Sequence, residues 1–438
     1  MTRKLFGTDG VRGVAGEFLS AELALALGRA ATAQTAVARP QVLIIRDTRE
    51  SGDMLQSALA AGISSAGGDV LLAGVLPTPA APLLIGRYGF DLAVVLSASH
   101  NPYQDNGIKF FAGDGYKLSD ETELEIEQAL DGEPPPSTRV GRIRELRGAA
   151  EDYLRELHTR FAALDLDGID VLLDCANGAT YELAPEIFRR LGARVSVIAD
   201  TPDGQNINAD CGSTHLEVLS ERVRAGGHAL GFAFDGDGDR VLAVDRNGTV
   251  VDGDELMALA TLHLRDRGRL SGNGVAVTVM TNYGFHQAME GEGVAVATTN
   301  VGDRYVLQEL RSRGWALGGE QSGHIIEMGF YRTGDGIASA LLTLEALAGA
   351  DLSERHAMSK LPQRLVNVRV RDRAALEHAV EVEQAVRAAE QELLGRGRVL
   401  VRPSGTEPLV RVMVEAPSDE EAEDVCGRLV GLVERELG

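Results

Sequence analysis

The chain of 438 residues carries 65 Asp plus Glu against 43 Lys plus Arg, a formal net charge of −22, and no run of basic side chains; both argue against a nucleic-acid-coating surface, which needs a positive footprint to displace counterions. No apolar stretch reaches the ~18 residues of a membrane span and the opening MTRKLFGTDG has no apolar signal core, so a cytoplasmic protein with no membrane partner is expected. At roughly 100–200 residues per domain the length implies two to four domains, each able to bury a sizeable core.

From the N-terminus, Ser20 is a predicted N-cap with Glu22 in the first turn of an Ala/Leu-rich helix. Gln41–Ile45 reads as a short strand, Ser51–Ile63 as a helix and Leu92–Leu96 as a buried strand. The tripled proline Pro134–Pro136 marks a loop. A second segment opens near Asp152 with a helix over Tyr153–Phe161, then a strand (Asp170–Leu173), a helix (Leu183–Leu191), a strand (Arg194–Ile198), and paired strands Leu230–Phe234 and Val241–Val244 around Asp235–Arg240. A third begins near Val251, with helices over Asp254–Leu264 and Asp335–Leu347. The last begins near Leu361 with a strand (Leu365–Val370), a long Ala/Glu-rich helix, two strands around Val401–Pro408, and a closing helix. That helix carries a capping box, Ser418 with Glu421, and apolar residues at Ala422, Val425, Leu429, Leu432 and Val433. Alternating helices and strands predict an α/β fold, and the expected segments are 1–151, 152–250, 251–360 and 361–438. Cys175, Cys211 and Cys426 lie far apart without CxxC spacing and read as reduced core or loop residues. Lys occurs only at Lys4, Lys109, Lys117 and Lys360, which draws attention to any Lys inside a motif.

Four segments look chemical. Asp235-Gly236-Asp237-Gly238-Asp239-Arg240 places carboxylates at alternate positions, and its glycines suit a flexible collar wrapping several oxygens around one hard cation, with little contribution to folding. An EF-hand would need Gly and Glu where Arg240 and Arg246 stand. A solvated hairpin turn, and a haloacid-dehalogenase-type phosphatase with Asp235 as nucleophile, remain open. Ser97-Ala98-Ser99-His100-Asn101-Pro102 emerges from a strand end, where α/β folds place ligands, beside His100 and Lys109, which suit proton transfer and phosphate stabilisation; a plain turn is the other reading. Gly318–His324 is a Gly-flanked loop whose Glu320, Gln321 and Ser322 suit sugar hydroxyls. Arg402-Pro403-Ser404-Gly405-Thr406-Glu407-Pro408, with Arg411 beyond, could cradle a phosphate, and the alternation of Val410, Val412 and Val414 turns Arg411 to the opposite face; a surface hairpin is the competing reading. No P-loop, Rossmann fingerprint or G-x-S-x-G elbow occurs.

With Gly7-Thr8-Asp9-Gly10-Val11-Arg12-Gly13, these segments resemble the α-D-phosphohexomutase superfamily in order along essentially the whole chain. The match is to its amino-sugar branch: the serine loop reads Ser-Ala-Ser-His-Asn-Pro, Gln321 follows Glu320 where phosphomannomutase/phosphoglucomutase members more often have Met, and Asn206-Ile207-Asn208 leads into Cys211–His215. The resemblance implies three similar α/β domains with mixed sheets around a central cleft, plus a C-terminal α+β domain. It implies reversible conversion of glucosamine 6-phosphate to glucosamine 1-phosphate, through a phosphorylated Ser99 and a sugar 1,6-bisphosphate that also serves as primer. Ser99, His100, Lys109 and Arg12 would be catalytic; Ser99, Asp235, Asp237 and Asp239 would hold one Mg²⁺. Arg240, Glu320, Ser322 and His324 would bind the sugar, and Arg402, Ser404, Gly405, Thr406 and Arg411 the phosphate that is not reacting. The implied partner is a small sugar phosphate, with a homodimer left open. The sister mutase acting on mannose or glucose phosphates, and a non-enzymatic divalent-ion or sugar-phosphate binding module, stay as alternatives.

Overall fold

The first sheet grows around two short runs, Val-Leu-Ile-Ile and Leu-Ala-Val-Val-Leu, apolar at every position and buried on both faces, as strands in the middle of a helix-covered parallel sheet must be. In this computed structural model, which describes residues 4–130, 132, 139–330, 332–403 and 408–438, they form β2 and β4 of a six-stranded sheet. Its strands are β1 (Val11–Val14), β2 (Gln41–Arg46), β3 (Asp69–Val75), β4 (Leu92–Leu96), β5 (Asp105–Ala112) and β6 (Ile143–Glu145), in the order β1-β5-β4-β2-β3-β6. β4, β2, β3 and β6 run parallel, whereas β5 pairs antiparallel with both β4 and β1, and the two added strands bring the N-terminal loop and Lys109 to the end of β4. Ser20 caps its helix (Ala21–Ala33) through the Leu23 N–H, as expected. The proline run at 134–136 lies outside the described residues.

A second mixed sheet contains β7 (Asp170–Asp174), β8 (Arg194–Ile198), β9 (Leu230–Phe234), β10 (Val241–Asp245) and β11 (Val250–Val251), ordered β11-β10-β9-β7-β8. β9 and β10 pair antiparallel from Phe234↔Val241 outward, so Asp235–Arg240 is the loop of their hairpin. A third sheet, ordered β13-β12-β14-β15, comprises β12 (Gly274–Thr278), β13 (Ala295–Thr299), β14 (Leu317–Gly319) and β15 (Ile325–Glu327). The parallel β12–β14 pair and antiparallel β14–β15 pair make it mixed as well.

The last sheet is antiparallel: β16 (Gln363–Arg369), β17 (Arg398–Pro403) and β18 (Leu409–Glu415), ordered β16-β18-β17 and covered by helices Val380–Glu392 and Asp419–Leu437. Val410, Val412 and Val414 are fully buried against those helices, and Arg411 is on the other face as the alternation requires. The closing helix has half of its expected capping box: Ser418 accepts from the Glu421 N–H at 3.2 Å, but the Glu421 carboxylate turns to Arg396 at 2.9 Å, a charged partner that outcompetes a backbone amide.

Two compact units result, one from residues 1–280 and 297–355, the other from Thr281–Val296 and His356–Gly438. Thr281–Val296 joins the C-terminal segment through Asn282, whose side chain exchanges two hydrogen bonds with the Leu361 backbone (2.9 and 3.0 Å), and through Tyr283 N–H, which donates to Glu415 at 2.7 Å. This division therefore cuts across the segment 251–360. The three cysteines are free and buried, and no described helix is long and apolar enough to cross a membrane.

Candidate active site

β4 ends at Leu96 and the chain turns sharply. Ser97 Oγ donates to the buried Asp47 carboxylate at 2.5 Å and accepts from the Ser99 N–H at 2.9 Å. Ser99 follows with φ +54°, a left-handed conformation that costs any residue with a Cβ, and its side chain is buried. Ser99 Oγ donates to Asp235 at 2.6 Å and lies 3.2 Å from His100 Nδ1. Because the Arg240 guanidinium, which can only donate, also approaches Nδ1 at 3.3 Å, that nitrogen is an acceptor and the ring proton sits on Nε2. Burial, then Arg240 and Arg12, push the His100 pKa down to about 4.

The Asp loop is not an open collar. Asp235, Asp237 and Asp239 are 0, 1 and 5% exposed. Gly238 does supply a positive φ of 70°, but Gly236 is required by crowding: a Cβ there would sit 2.6 Å from the Ser99 carbonyl oxygen. Asp237 Oδ2 accepts from Thr78 Oγ1 at 2.6 Å and from Lys109 Nζ at 2.7 Å. One oxygen of each carboxylate in the triad lies within 4.8 Å of the others, and Asp237 Oδ1 and Asp239 Oδ1 are buried with no hydrogen-bond donor. Unsatisfied, converging carboxylate oxygens at this depth fit a hard divalent cation. Without one, burial and the neighbouring Asp239 and Asp237 hold the Asp235 pKa well above the usual carboxylate range.

Lys109, on β5, bridges Asp237 and Asp9 (2.9 Å) and is almost fully buried. Burial favours its neutral form, yet Asp237 and Asp9 outweigh that and hold it firmly as an ammonium. Asp9 also pairs with Arg12 and with Lys117; burial opposes its ionisation, but Lys109, Lys117 and Arg12 hold its carboxyl well below the usual range. Lys117 reaches on to Asp303.

The third sheet contributes the turn after β14. Glu320 N–H donates to the His324 carbonyl at 3.0 Å, closing the turn, and Glu320 Oε1 accepts from Gly302 N–H at 3.0 Å. Gln321 reaches away, donating to Asp252 at 3.1 Å, where it ties the turn to the N-cap of helix Gly253–Asp266. His324 Nε2 accepts from Gly334 N–H at 3.1 Å, placing its proton on Nδ1, 3.5 Å from Asp239. These residues surround a cavity of about 420 Å³ whose wall includes Asp9, Arg12, His100, Arg240, Glu320 and His324.

The first unit thus gathers Arg12, Ser99, His100, Lys109, the Asp triad, Arg240, Glu320 and His324. Ser322 belongs to the same turn but is not part of the cavity wall, and its Oγ is buried without a partner. Arg402 and Arg411 belong to the second unit, directly opposite one another on β17 and β18; burial and then Arg411 push the Arg402 pKa down. Ser404, Gly405 and Thr406 lie outside the described residues. Sequence reasoning missed Asp9 and Lys117 as members of the ion-pair cluster and Thr78 and Asp303 altogether; Asp9 stood in a quoted Gly-rich segment, and Lys117 was signalled only by the scarcity of lysine.

Four sequence models of the phosphoglucomutase/phosphomannomutase family match in order: alpha/beta/alpha domain I at residues 3–135, domain II at 151–248, domain III at 252–365 and the C-terminal domain at 365–432. The phosphoglucosamine mutase of Moorella thermoacetica is 52% identical over 436 residues, covering 97% of this chain and 98% of that protein. Among solved structures, a phosphoglucomutase/phosphomannomutase family protein from Burkholderia thailandensis superposes with TM-score 0.82 at 24% identity, over 100% of this chain and 99% of that one. The Aspergillus fumigatus N-acetylphosphoglucosamine mutase, solved with GlcNAc-6P and magnesium, gives TM-score 0.70 at 18% identity, over 99% and 96% of the two chains. With its motifs, its sheets and an identity of this size over the full length in agreement, the chain belongs to the phosphoglucosamine mutase family of phosphohexomutases.

Proposed function

We propose that the chain interconverts glucosamine 6-phosphate and glucosamine 1-phosphate, with Ser99 carrying the phosphoryl group between them. The observation that carries this reading is the contact of a buried hydroxyl, on a serine with strained backbone, with a carboxylate whose two neighbours each hold an oxygen without a hydrogen-bond donor. Asp235, Asp237 and Asp239, with an oxygen on phosphorylated Ser99, would hold Mg²⁺, which when bound supplies charge neutralisation for the transferring group.

In the first half-reaction a sugar hydroxyl oxygen bonds to phosphorus as the P–O bond to Ser99 breaks. The hydroxyl proton passes to His100 Nδ1 and from there to the departing Ser99 oxygen, 3.2 Å away, so proton and phosphoryl exchange places without a further reactant. His100 is neutral and able to accept. A bound phosphate dianion beside Arg240 and Arg12 offsets two of the influences that depress its pKa and brings it toward a more useful base strength. Lys109 stays charged, so we assign it to anion stabilisation and not to proton transfer. Glu320, with one oxygen uncommitted to Gly302, suits sugar hydroxyls, with His324 and Arg240 beside it. Arg402 and Arg411, with Ser404, Gly405 and Thr406, take the phosphate that is not reacting, and a sugar 1,6-bisphosphate primes Ser99.

Intact-mass measurement before and after incubation with glucosamine 1,6-bisphosphate tests the covalent assignment; the expected result is a gain of about 80 Da that maps to Ser99. Turnover is then compared on glucosamine, glucose and mannose phosphates. Failure of the purified protein to take up the label or to isomerise glucosamine 6-phosphate overturns the reading.

A further inference from the structure

The segment Asn206-Ile207-Asn208 has no part in the chemistry above, yet Asn208 touches the centre of it. Its Nδ2 donates to the Ser99 carbonyl at 2.9 Å and to the Asn101 carbonyl at 3.0 Å. The same two carbonyls accept from Arg49 Nη2, at 3.0 and 2.8 Å. Arg49 is wholly buried and spends all five of its N–H donors: Nε on Asp47 (2.9 Å), Nη1 on the carbonyls of Asp105 (2.9 Å) and Pro102, and Nη2 on Ser99 and Asn101. The Ser99 loop is therefore drawn around one guanidinium from the segment after β2 and clipped at the same two carbonyls by one amide from the segment after β8.

That clip also meets the Asp loop. A Cβ on Gly236 would lie 2.8 Å from Asn208 Nδ2 as well as 2.6 Å from the Ser99 carbonyl oxygen, so the three chain segments are in mutual contact. Asn208 is anchored in turn by its own N–H, which donates to the Ala176 carbonyl at 2.9 Å, and it adopts φ +58°, a conformation asparagine tolerates better than most residues. We propose that Asn208, backed by Arg49, is a positioning residue that holds Ser99 in its left-handed conformation and in register with Asp235, Asp237 and Asp239. The inference rests on Ser99 being the phosphoryl carrier.

The test uses two substitutions that keep the backbone geometry. Asn208→Gly accepts the positive φ freely and removes only the two donors; Asn208→Asp keeps the shape but turns an acceptor toward two carbonyls. Thr48→Val is the control, since Thr48 Oγ1 donates to the Asn177 carbonyl at 2.6 Å and joins the same two parts of the chain without touching the Ser99 loop. Loss of two neutral hydrogen bonds predicts a fall in kcat of about ten- to a hundredfold for Asn208→Gly, and more for Asn208→Asp, with KM within about twofold. The rate at which Ser99 gains about 80 Da from the sugar bisphosphate should fall by a similar factor. Thr48→Val should lower the melting temperature yet leave kcat and labelling within about twofold. Unchanged kcat and labelling in both Asn208 variants overturns the proposal, as does an equal loss of kcat in Thr48→Val, which would mark Asn208 as merely structural. A wild-type protein that neither labels nor turns over would instead defeat the assignment of function.

Discussion

At Ser99 the chain accepts backbone strain to point one hydroxyl at one carboxylate. Replacing it with Ala removes the proposed phosphoryl carrier and two hydrogen-bonding contacts but no packed apolar group. Ser99→Ala should therefore lose on the order of a thousandfold or more in turnover, even with bisphosphate primer, while its melting temperature stays within a few degrees of wild type; primer-dependent turnover at the wild-type rate would contradict the assignment. His100 gives a pH signature. Its pKa of about 4 belongs to the free protein, where burial, Arg240 and Arg12 disfavour the charged ring. Loss of activity on protonation should thus come at lower pH in kcat/KM than in kcat, because the bound phosphate offsets the two cations. Coincident acid limbs would show that His100 does not relay the proton. The motif residues were legible because their chemistry is written in side chains at short spacing. Arg49 was not, and Asn208 stood out only as part of the segment Asn206–Asn208 without a role, because both act on backbone carbonyls of residues about 50 and 110 positions distant, which no local pattern records.

Helix Gly336–Leu347 begins directly behind the Asp loop, its Gly336 N–H donating to the Gly238 carbonyl at 2.9 Å. Its N-cap, Asp335, accepts from Ala338 N–H at 2.9 Å and from Tyr153 Oη at 3.0 Å, but burial outweighs these donors and raises its pKa to about 7. In the unfolded chain the group titrates near 4. Between about pH 4 and 7 the folded state consequently binds more proton than the unfolded state, so this residue's contribution to stability falls as pH rises through that window and is level above it. Asn can cap the helix without titrating. Asp335→Asn should gain on wild type from pH 5 to pH 8, by up to about 3 kcal/mol at full linkage; a difference between the two melting curves that does not change with pH would refute this. The Asp hairpin carries a related expectation. Because Asp235 holds a proton more tightly than an ordinary carboxylate, a Mg²⁺ ion held by the triad would have to displace it. Affinity should improve by up to about tenfold per pH unit while Asp235 titrates, with proton release visible in calorimetry across buffers of different ionisation enthalpy, whereas pH-independent binding would place the ion elsewhere. The hairpin itself was visible in the sequence, but its rigidity was not, since glycine reads the same whether it allows bending or admits a crowding neighbour.

Across the whole molecule the α/β character and most strands that end at the site could be read from short apolar runs, whereas β1 and β5 could not: they carry the Gly-rich and polar motif residues that obscure strand periodicity. Nor did linear order reveal that Thr281–Val296 assembles with the C-terminal segment, because that depends on the two bonds from Asn282 to Leu361. The overall charge of −22 makes the C-terminal pair Arg402 and Arg411 conspicuous. Like charges directly opposite on neighbouring strands are unfavourable, so an anion between them would relieve what the sheet imposes. A mutase must accept both its substrate and its product at the grip that holds the phosphate not being transferred, so a residue of that grip acts in both directions of the reaction. A guanidinium–phosphate bond is worth about 1.5–3 kcal/mol, or about ten- to a hundredfold. Arg411→Ala should raise KM for glucosamine 6-phosphate and glucosamine 1-phosphate by similar factors of that size, and Arg411→Lys should recover only part, lacking the planar fork. Inorganic phosphate should also raise the melting temperature of wild type more than that of Arg411→Ala. A KM defect in one direction alone, with equal stabilisation of both proteins by phosphate, would remove Arg411 from the grip and leave the pair a structural feature of the sheet.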